Sequence, residues 1–279
     1  MNSKTPDSNI EHVAFIGGGN MASAIIGGLL KRGMAASQIQ VVEPFAEQQA
    51  RLTQQFQVAV SASPDASLAR ASLVVWAIKP QTFREAAGQA SAHVRTALHL
   101  SVAAGIRSDS IARWLSTERV VRAMPNTPAL VGLGMTALFA RPAATPADRQ
   151  TVERVVQTTG DYLWLRQEEQ LDAVTALSGS GPAYVFYFLE AMIQAGTDMG
   201  LSREQAHQLA VGTFVGASAL ARQSEEPPEV LRARVTSKGG TTYAALTRMD
   251  QDGVQQHFIS AIHAAHQRAS ELGDEFGTA

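Results

Sequence analysis

The segment Gly17-Gly-Gly-Asn-Met-Ala22 places the strongest constraint on what this chain can fold into. It fits the pattern G-x-G-x-x-G/A, directly follows a short β-type run at His12–Ile16 and opens a predicted helix at Asn20–Arg32. In that context Gly17 allows a tight turn, and Gly19 lets a pyrophosphate approach the free N–H groups of the helix start. The segment therefore predicts a dinucleotide-binding turn, and a glycine-rich turn without a ligand is the alternative.

The same alternation of strand and helix continues to residue 165 and predicts an α/β fold of the Rossmann type, with a doubly wound, mostly parallel sheet. The predicted strands are His12–Ile16, Ile39–Glu43, Gln57–Val60, Leu73–Ile78, Ala97–Val102, Arg119–Met124, Gly134–Ala140 and Asp161–Leu165. The predicted helices of this part are Asn20–Arg32, Phe45–Gln55, Gln81–His93, Ser108–Leu115 and Pro146–Thr158.

The pattern changes near Gln167, after which only helical spacing is found. The predicted helices there are Glu168–Gly200, Ser202–Gln223, Pro227–Val235 and Asp252–Gly273. We therefore expect two domains: a dinucleotide-binding domain over residues 1–167, with 1–10 as a flexible leader, and an all-helical domain over 168–279. The long apolar helix faces of the second domain predict an intertwined homodimer, because a single helix layer cannot bury both of its faces.

Composition narrows the possible functions. The chain has 279 residues, of which 45% are hydrophobic, a formal net charge of −2 and no cysteine. These values exclude disulfides, thiolate catalysis and cysteine-ligated zinc, and they disfavour an intrinsically disordered chain, a nucleic-acid binder and a membrane anchor. Histidines of the last helix lack a well-placed third ligand, so no metal site is predicted. The cysteine-free composition fits a cytoplasmic protein.

Two residues at predicted strand ends point to the cofactor. Glu43 ends the second strand, where an acid accepts hydrogen bonds from the adenosine ribose hydroxyls and repels a 2′-phosphate. Lys79 begins the turn after the strand Leu73–Ile78, and ligands of open α/β sheets bind at strand carboxyl ends. A solvated side chain is the alternative for each of them.

Three further motifs, taken with Phe15-Ile-Gly-Gly-Gly-Asn-Met-Ala22, carry a family resemblance. They are Met124-Pro-Asn-Thr-Pro128, Leu177-Ser-Gly-Ser-Gly-Pro-Ala-Tyr184 and Val235-Thr-Ser-Lys-Gly-Gly-Thr-Thr242, the last of which is followed by an apolar helix. In this order, from about Val13 to Leu272, they resemble the Δ1-pyrroline-5-carboxylate reductase family. The resemblance implies an NAD(P)H-dependent reduction of L-1-pyrroline-5-carboxylate to L-proline, a helical dimerisation domain, and dimers that often assemble into rings.

The resemblance also implies roles for individual residues. Thr242 is expected to hydrogen-bond the ring nitrogen of the substrate and to help deliver its proton, whereas water is the alternative proton source. The expected substrate-binding residues are Ser237, Gly239, Gly240, Thr241, Thr242, Glu168 and Glu225. The expected cofactor-binding residues are Ile16, Gly17, Gly18, Gly19, Asn20, Met21, Glu43, Ala77, Ile78, Lys79, Pro80, Ala103, Ala104, Gly105 and Asn126.

The sequence departs from the family pattern at the adenosine end of the cofactor. The family usually has a serine at the position of Glu43 and prefers NADPH, and it tends to have an asparagine near Pro64. The cofactor is therefore NADH or NADPH, with Glu43 favouring NADH. Other imine or β-hydroxyacid reductases and a non-catalytic NAD-binding sensor are the alternative functions. The absence of lysine from Glu168–Gly200 disfavours the β-hydroxyacid enzymes.

Overall fold

The computed structural model describes residues 10–277. Its strands are β1 (Val13–Ile16), β2 (Ile39–Val42), β3 (Ala59–Ser61), β4 (Leu73–Trp76), β5 (Leu98–Ser101), β6 (Val120–Met124), β7 (Gly134–Ala140) and β8 (Gly160–Trp164). Its helices are α1 (Asn20–Lys31), α2 (Ala46–Phe56), α3 (Pro80–Ala90), α4 (Ser108–Leu115), α5 (Pro146–Val156), α6 (Gln170–Val174), α7 (Gly181–Asp198), α8 (Arg203–Gln223), α9 (Pro228–Arg234), α10 (Thr241–Gln251) and α11 (Val254–Gly277).

The eight strands form one sheet in the order β3-β2-β1-β4-β5-β6-β7-β8. Strands β1 to β6 are parallel to one another, and β7 pairs antiparallel to β6. The chain reverses there because residues 125–133 are fewer than the dozen or so that a parallel crossover needs. Strand β8 then pairs parallel to β7. The prediction of a doubly wound, mostly parallel sheet is confirmed, and the order of the first six strands is that of dinucleotide-binding folds.

The core lies on both faces of this sheet. All four residues of β1 and all four of β4 are buried, as expected for central parallel strands that are covered by helices on each side. Near its end, helix α1 closely approaches the turn that follows α5, since a Cβ atom at Gly28 would stand 2.5 Å from Thr158 Oγ1. This position of α1 therefore has no room for a side chain.

The helical part differs from its prediction in two places. The predicted helix Glu168–Gly200 is divided into α6, a π-helical turn at Thr175–Gly179 and α7. A Cβ at Gly179 would collide with the side chain of Met124, so the wide turn lets the backbone approach β6. The last predicted helix, Asp252–Gly273, is observed as α11 and runs from Val254 to Gly277. Helix α10 is the apolar helix that follows the Gly-Gly motif, and it begins directly after the Gly-Gly pair.

Contacts group the described residues into two compact units. The first comprises the residues up to Ser180 together with those from Ala265 onward, and the second is Gly181–Ala264. The expected domain boundary at residue 168 stays a prediction. No helix between residues 10 and 277 is long and apolar enough to cross a membrane.

Candidate cofactor and substrate sites

The glycine turn between β1 and α1 is tightly packed on one side and open on the other. Gly17 has φ +93° and donates its N–H to Val42 O at 2.8 Å, and a Cβ there would lie 2.5 Å from Ala77 O. A Cβ at Gly18 would collide with Leu52. At Gly19 an added Cβ would meet no described atom within 4 Å. Glycine is therefore required at residue 17 by backbone conformation and packing, Gly18 is packed closely against Leu52, and Gly19 faces open space.

The start of α1 is suited to an anion. Gly19 is the N-cap residue, no side chain caps the helix, and the first turn contains no acidic residue. The first N–H groups of a helix have no partner within the helix, so those of Asn20 and Met21 are available to an anion. These donors, beside a glycine that presents no side chain, fit the pyrophosphate of a dinucleotide.

Glu43, directly after β2, is bound to the glycine turn. Its carboxylate accepts a hydrogen bond from Gly18 N at 2.9 Å through Oε2, and another from Phe45 N at 3.0 Å through Oε1. The residue is only 6% exposed, so the alternative of a solvated glutamate is wrong. The charge therefore stands beside the place where the adenosine half of a dinucleotide binds in this fold.

Two glutamines at the start of α2, which sequence reasoning missed, complete this arrangement. Gln48 donates from Nε2 to Gly18 O at 2.5 Å, and Gln49 donates from Nε2 to Glu43 O at 2.7 Å. The glycine turn therefore donates a hydrogen bond to Glu43 after β2 and accepts one from Gln48 of α2. Glutamine in the first turn of a helix is too common to have signalled this contact from the sequence.

The turn after β4 borders the glycine turn. Ala77 donates its N–H to Ile16 O at 2.8 Å, and the side chain of Ile78 lies against Gly17. Lys79 is exposed and stands at the N-cap position of α3, with Pro80 as the first helical residue. The predicted cofactor residues of this turn therefore lie beside the glycine turn, and Lys79 extends into solvent.

The segments after β5 and β6 hold the remaining predicted cofactor residues. Ala103 is buried, Ala104 is half-buried, and Gly105 has φ +73°. Asn126 accepts from Met135 N at 2.9 Å and donates to Ser178 Oγ at 3.2 Å. Its amide therefore links β7 to the π-helical turn, and its predicted contact with the cofactor stays a prediction.

Glu168 forms an ion pair and hydrogen bonds with residues of the first unit. It pairs with Arg122 Nη1 at 2.7 Å and accepts from the backbone and hydroxyl of Ser108. Burial lowers the pKa of the Arg122 guanidinium from its ordinary value, and the Glu168 carboxylate opposes that shift. The predicted role of Glu168 in substrate binding stays a prediction.

The second unit contains the glycine loop before α10. Gly239 has φ +77°, and Gly240 donates its N–H to Ser237 O at 3.0 Å and forms the N-cap of α10. No side chain caps α10 and its first turn has no acidic residue, so the N–H groups near Thr241 and Thr242 are available to a carboxylate. Thr241 is exposed and Thr242 half-buried.

Two other observations concern residues outside these loops. Glu225 is exposed between α8 and α9. Within residues 10–277 there is no group of three histidine or carboxylate side chains that could hold a metal ion.

Comparison with known proteins gives consistent results for both parts of the chain. A family model described as pyrroline-5-carboxylate reductase dimerisation matches residues 168–272, and one described as NADP oxidoreductase, coenzyme F420-dependent, matches residues 12–105. The chain is 43% identical to pyrroline-5-carboxylate reductase of Pseudomonas aeruginosa, covering 95% of this chain and 98% of that one. It is 41% identical to the Haemophilus influenzae enzyme, covering 93% and 97%.

Solved structures agree with these sequence relatives. The structure of a pyrroline-5-carboxylate reductase from Coxiella burnetii matches with a TM-score of 0.87 and 34% identity, over 95% of this chain and 99% of that one. A pyrroline carboxylate reductase from Plasmodium falciparum with NADP bound matches with a TM-score of 0.85 and 26% identity, over 95% and 100%.

Proposed function

The chain belongs to the pyrroline-5-carboxylate reductase family, whose members reduce 1-pyrroline-5-carboxylate to proline, and we propose which of its residues carry this reaction and which cofactor it prefers. It is an oxidoreductase that uses a nicotinamide cofactor. When bound, the reduced nicotinamide supplies the hydride. The chain's own residues then have three tasks: to hold the dinucleotide, to fix the substrate carboxylate and to support proton transfer to the ring nitrogen.

We assign the pyrophosphate to the glycine turn and the start of α1. The open side of Gly19 and the uncapped first turn of α1 support this assignment. The turn after β4 borders the same place, so Ile78 and Pro80 form its apolar wall and Lys79 lies at its solvent edge. Asn126 and the segment 103–105 follow neighbouring strands at the same edge of the sheet, where ligands of this fold bind.

We assign the substrate carboxylate to the loop before α10. Its support is the positive φ of Gly239 and the uncapped N-terminus of α10, which together present backbone N–H groups to an anion. Ser237 and Thr241 add hydroxyl donors at the two ends of this loop. Thr242, one residue further, is half-buried and is our candidate for the hydrogen bond to the ring nitrogen.

NADH is the preferred cofactor in this proposal, and the burial of Glu43 is the observation that carries it. A carboxylate that is 6% exposed and bound to two backbone amides cannot move away easily from a 2′-phosphate. The same carboxylate can accept from the ribose hydroxyls of NADH, because each of its oxygens has a further lone pair.

A homodimer is the smallest assembly that we propose, and we propose a ring of such dimers as the larger one. Among the described residues, the buried apolar side chains of the second unit are only Ile193, Ala206 and Ala210. In contrast, Phe186 and Tyr187 on α7 and several apolar residues of α8 are exposed. A unit of this size with so small a core requires another surface to cover these side chains. We also propose a cytoplasmic location, which cell fractionation would test.

A steady-state assay of the purified protein tests the proposed roles. Pyrroline-5-carboxylate is supplied with NADH or NADPH, and the reverse reaction is followed as proline-dependent NAD⁺ reduction at high pH. Loss of a hydrogen bond that matters in the transition state costs about 1–3 kcal/mol, so Thr242→Ala should lower kcat about 10- to 100-fold. Thr242→Ser, which keeps the hydroxyl, should retain most of the rate. Near-full kcat in Thr242→Ala would leave water as the proton source.

A further inference from the structure

We infer that Phe45 is the residue against which the adenine ring of the cofactor stacks, an inference that rests on the cofactor site proposed above. Phe45 is 72% exposed, more than any other aromatic side chain in the described part of the chain. It lies two residues after Glu43, at the carboxyl end of β2. Covering this phenyl ring with an apolar or aromatic group of a ligand would be favourable, because it removes apolar surface from water.

The backbone of Phe45 is held in place by the cofactor site itself. Its N–H donates to Glu43 Oε1 at 3.0 Å, and Glu43 binds Gly18 N through its other oxygen. Gln49, one turn into α2, fixes the carbonyl of Glu43 at 2.7 Å. The carboxylate that we assign to the ribose therefore also positions the residue that carries the ring. Preorganisation of this kind reduces the entropy that binding costs.

The choice of phenylalanine at this position is unfavourable for the helix that it begins. Phe45 is the N-cap residue of α2, and it makes no side-chain cap hydrogen bond. Serine, threonine, aspartate or asparagine at an N-cap typically stabilises a helix by about 1 kcal/mol. The sequence therefore carries a residue that neither caps α2 nor buries its side chain, and a ligand contact accounts for both features.

The identity of the ligand group follows from the order of the neighbouring contacts. The pyrophosphate is assigned to the start of α1 and the ribose to Glu43, so the next group of the dinucleotide along this path is the base. Adenine has a planar π face that stacks on aromatic side chains, and this contact is worth about 5- to 150-fold in affinity per base. Phe45 offers an exposed apolar ring two residues after the carboxylate assigned to the ribose, and Pro44 before it restricts the backbone.

A cofactor without adenine separates this role from a structural one. The dissociation constant of NADH is measured by fluorescence titration for the parent, Phe45→Ala and Phe45→Tyr, each as the purified full chain. The value of kcat/KM is then measured with NADH and with reduced nicotinamide mononucleotide, which lacks the adenosine half. Phe45→Ala leaves the start of α2 as it is, because alanine caps a helix no better than phenylalanine.

We expect Phe45→Ala to weaken NADH binding about 5- to 30-fold, Phe45→Tyr to stay within twofold, and the mononucleotide to react equally well with all three proteins. Unchanged NADH binding in Phe45→Ala would overturn the inference. Equal losses with NADH and the mononucleotide would also overturn it, because Phe45 would then act on the turn and not on the base. Either result leaves the reaction and its other residues as proposed, since pyrroline-5-carboxylate would still be reduced.

Discussion

Replacing Glu43 with glutamine should remove most of the discrimination against NADPH. The substitution deletes one negative charge and keeps an oxygen that can accept from one of the two backbone amides now bound by the carboxylate. A matched control lies one turn away. Glu47 is in the first turn of α2, its side chain is 90% exposed, and Glu47→Gln makes the same change in net charge.

The size of the effect follows from the surroundings of the carboxylate. Two unit charges about 5 Å apart interact by about 3 kcal/mol at an effective dielectric constant of about 20. Salt and the open side of the site lower this, so we expect about 2 kcal/mol against NADPH, or about 30-fold in kcat/KM. Rotation of Glu43 into solvent is not an easy escape, because it breaks two hydrogen bonds that are each worth about 1.5–3 kcal/mol for a charged acceptor.

The assay compares kcat/KM for NADH and NADPH in the parent, Glu43→Gln, Glu43→Ser and Glu47→Gln, at low and at moderate salt. We expect the parent to favour NADH, both Glu43 variants to shift the ratio toward NADPH by at least tenfold, and Glu47→Gln to leave it within twofold. A parent that favours NADPH would refute the reasoning. The same conclusion would follow if the ratio did not change in either Glu43 variant.

Three further predictions concern stability, each checked by chemical denaturation. Gly28→Ala should destabilise the first unit by about 1–3 kcal/mol, because its new methyl group overpacks the contact between α1 and Thr158 in the turn after α5; unchanged stability would contradict this. Glu168→Gln leaves the buried Arg122 guanidinium without its charged partner and should cost about 3–5 kcal/mol, whereas a purely substrate-binding role predicts a raised KM and no loss of stability. Burial lowers the pKa of His99 from 6.5 to about 4. As the pH falls, the unfolded chain therefore binds a proton at this histidine before the folded chain does. The free energy of unfolding should fall by up to about 3 kcal/mol as the pH drops from 6.5 to about 4. His99→Gln, which keeps an acceptor for the 3.0 Å hydrogen bond from Trp76 Nε1, should flatten this dependence, and an unchanged pH profile would count against it.

The sheet was predictable because its signals are local. Strand β7 was predicted with its observed bounds, Gly134–Ala140, and so was helix α4, Ser108–Leu115. Apolar runs bounded by turn residues specify such elements without reference to distant parts of the chain. The direction of β7 was not predicted, since strand direction depends on the length and path of the connection that precedes it.

The contacts of the site were less predictable than its motifs. The pattern G-x-G-x-x-G/A assigns no packing role to its second residue, yet Gly18 is confined between Leu52 and the Glu43 carboxylate. Gln48 likewise reaches the glycine turn from 30 residues away in the sequence, through its hydrogen bond to Gly18 O, and Gln49 beside it binds the carbonyl of Glu43. Such contacts depend on how α2 lies against β1 and β2, and no local pattern encodes that placement.

These contacts couple cofactor choice to the shape of the phosphate-binding turn. Glu43 supplies the charge that we expect to disfavour a 2′-phosphate, and it also satisfies the buried N–H of Gly18. Serine in its place removes the charge but is too short to reach both amides, so Glu43→Ser loses hydrogen bonds that Glu43→Gln partly keeps. We therefore expect the shift toward NADPH in Glu43→Ser to come with a loss of stability, which a second substitution that binds Gly18 N again would restore. Glu43 therefore stabilises the glycine turn through Gly18 N in addition to its proposed effect on cofactor preference.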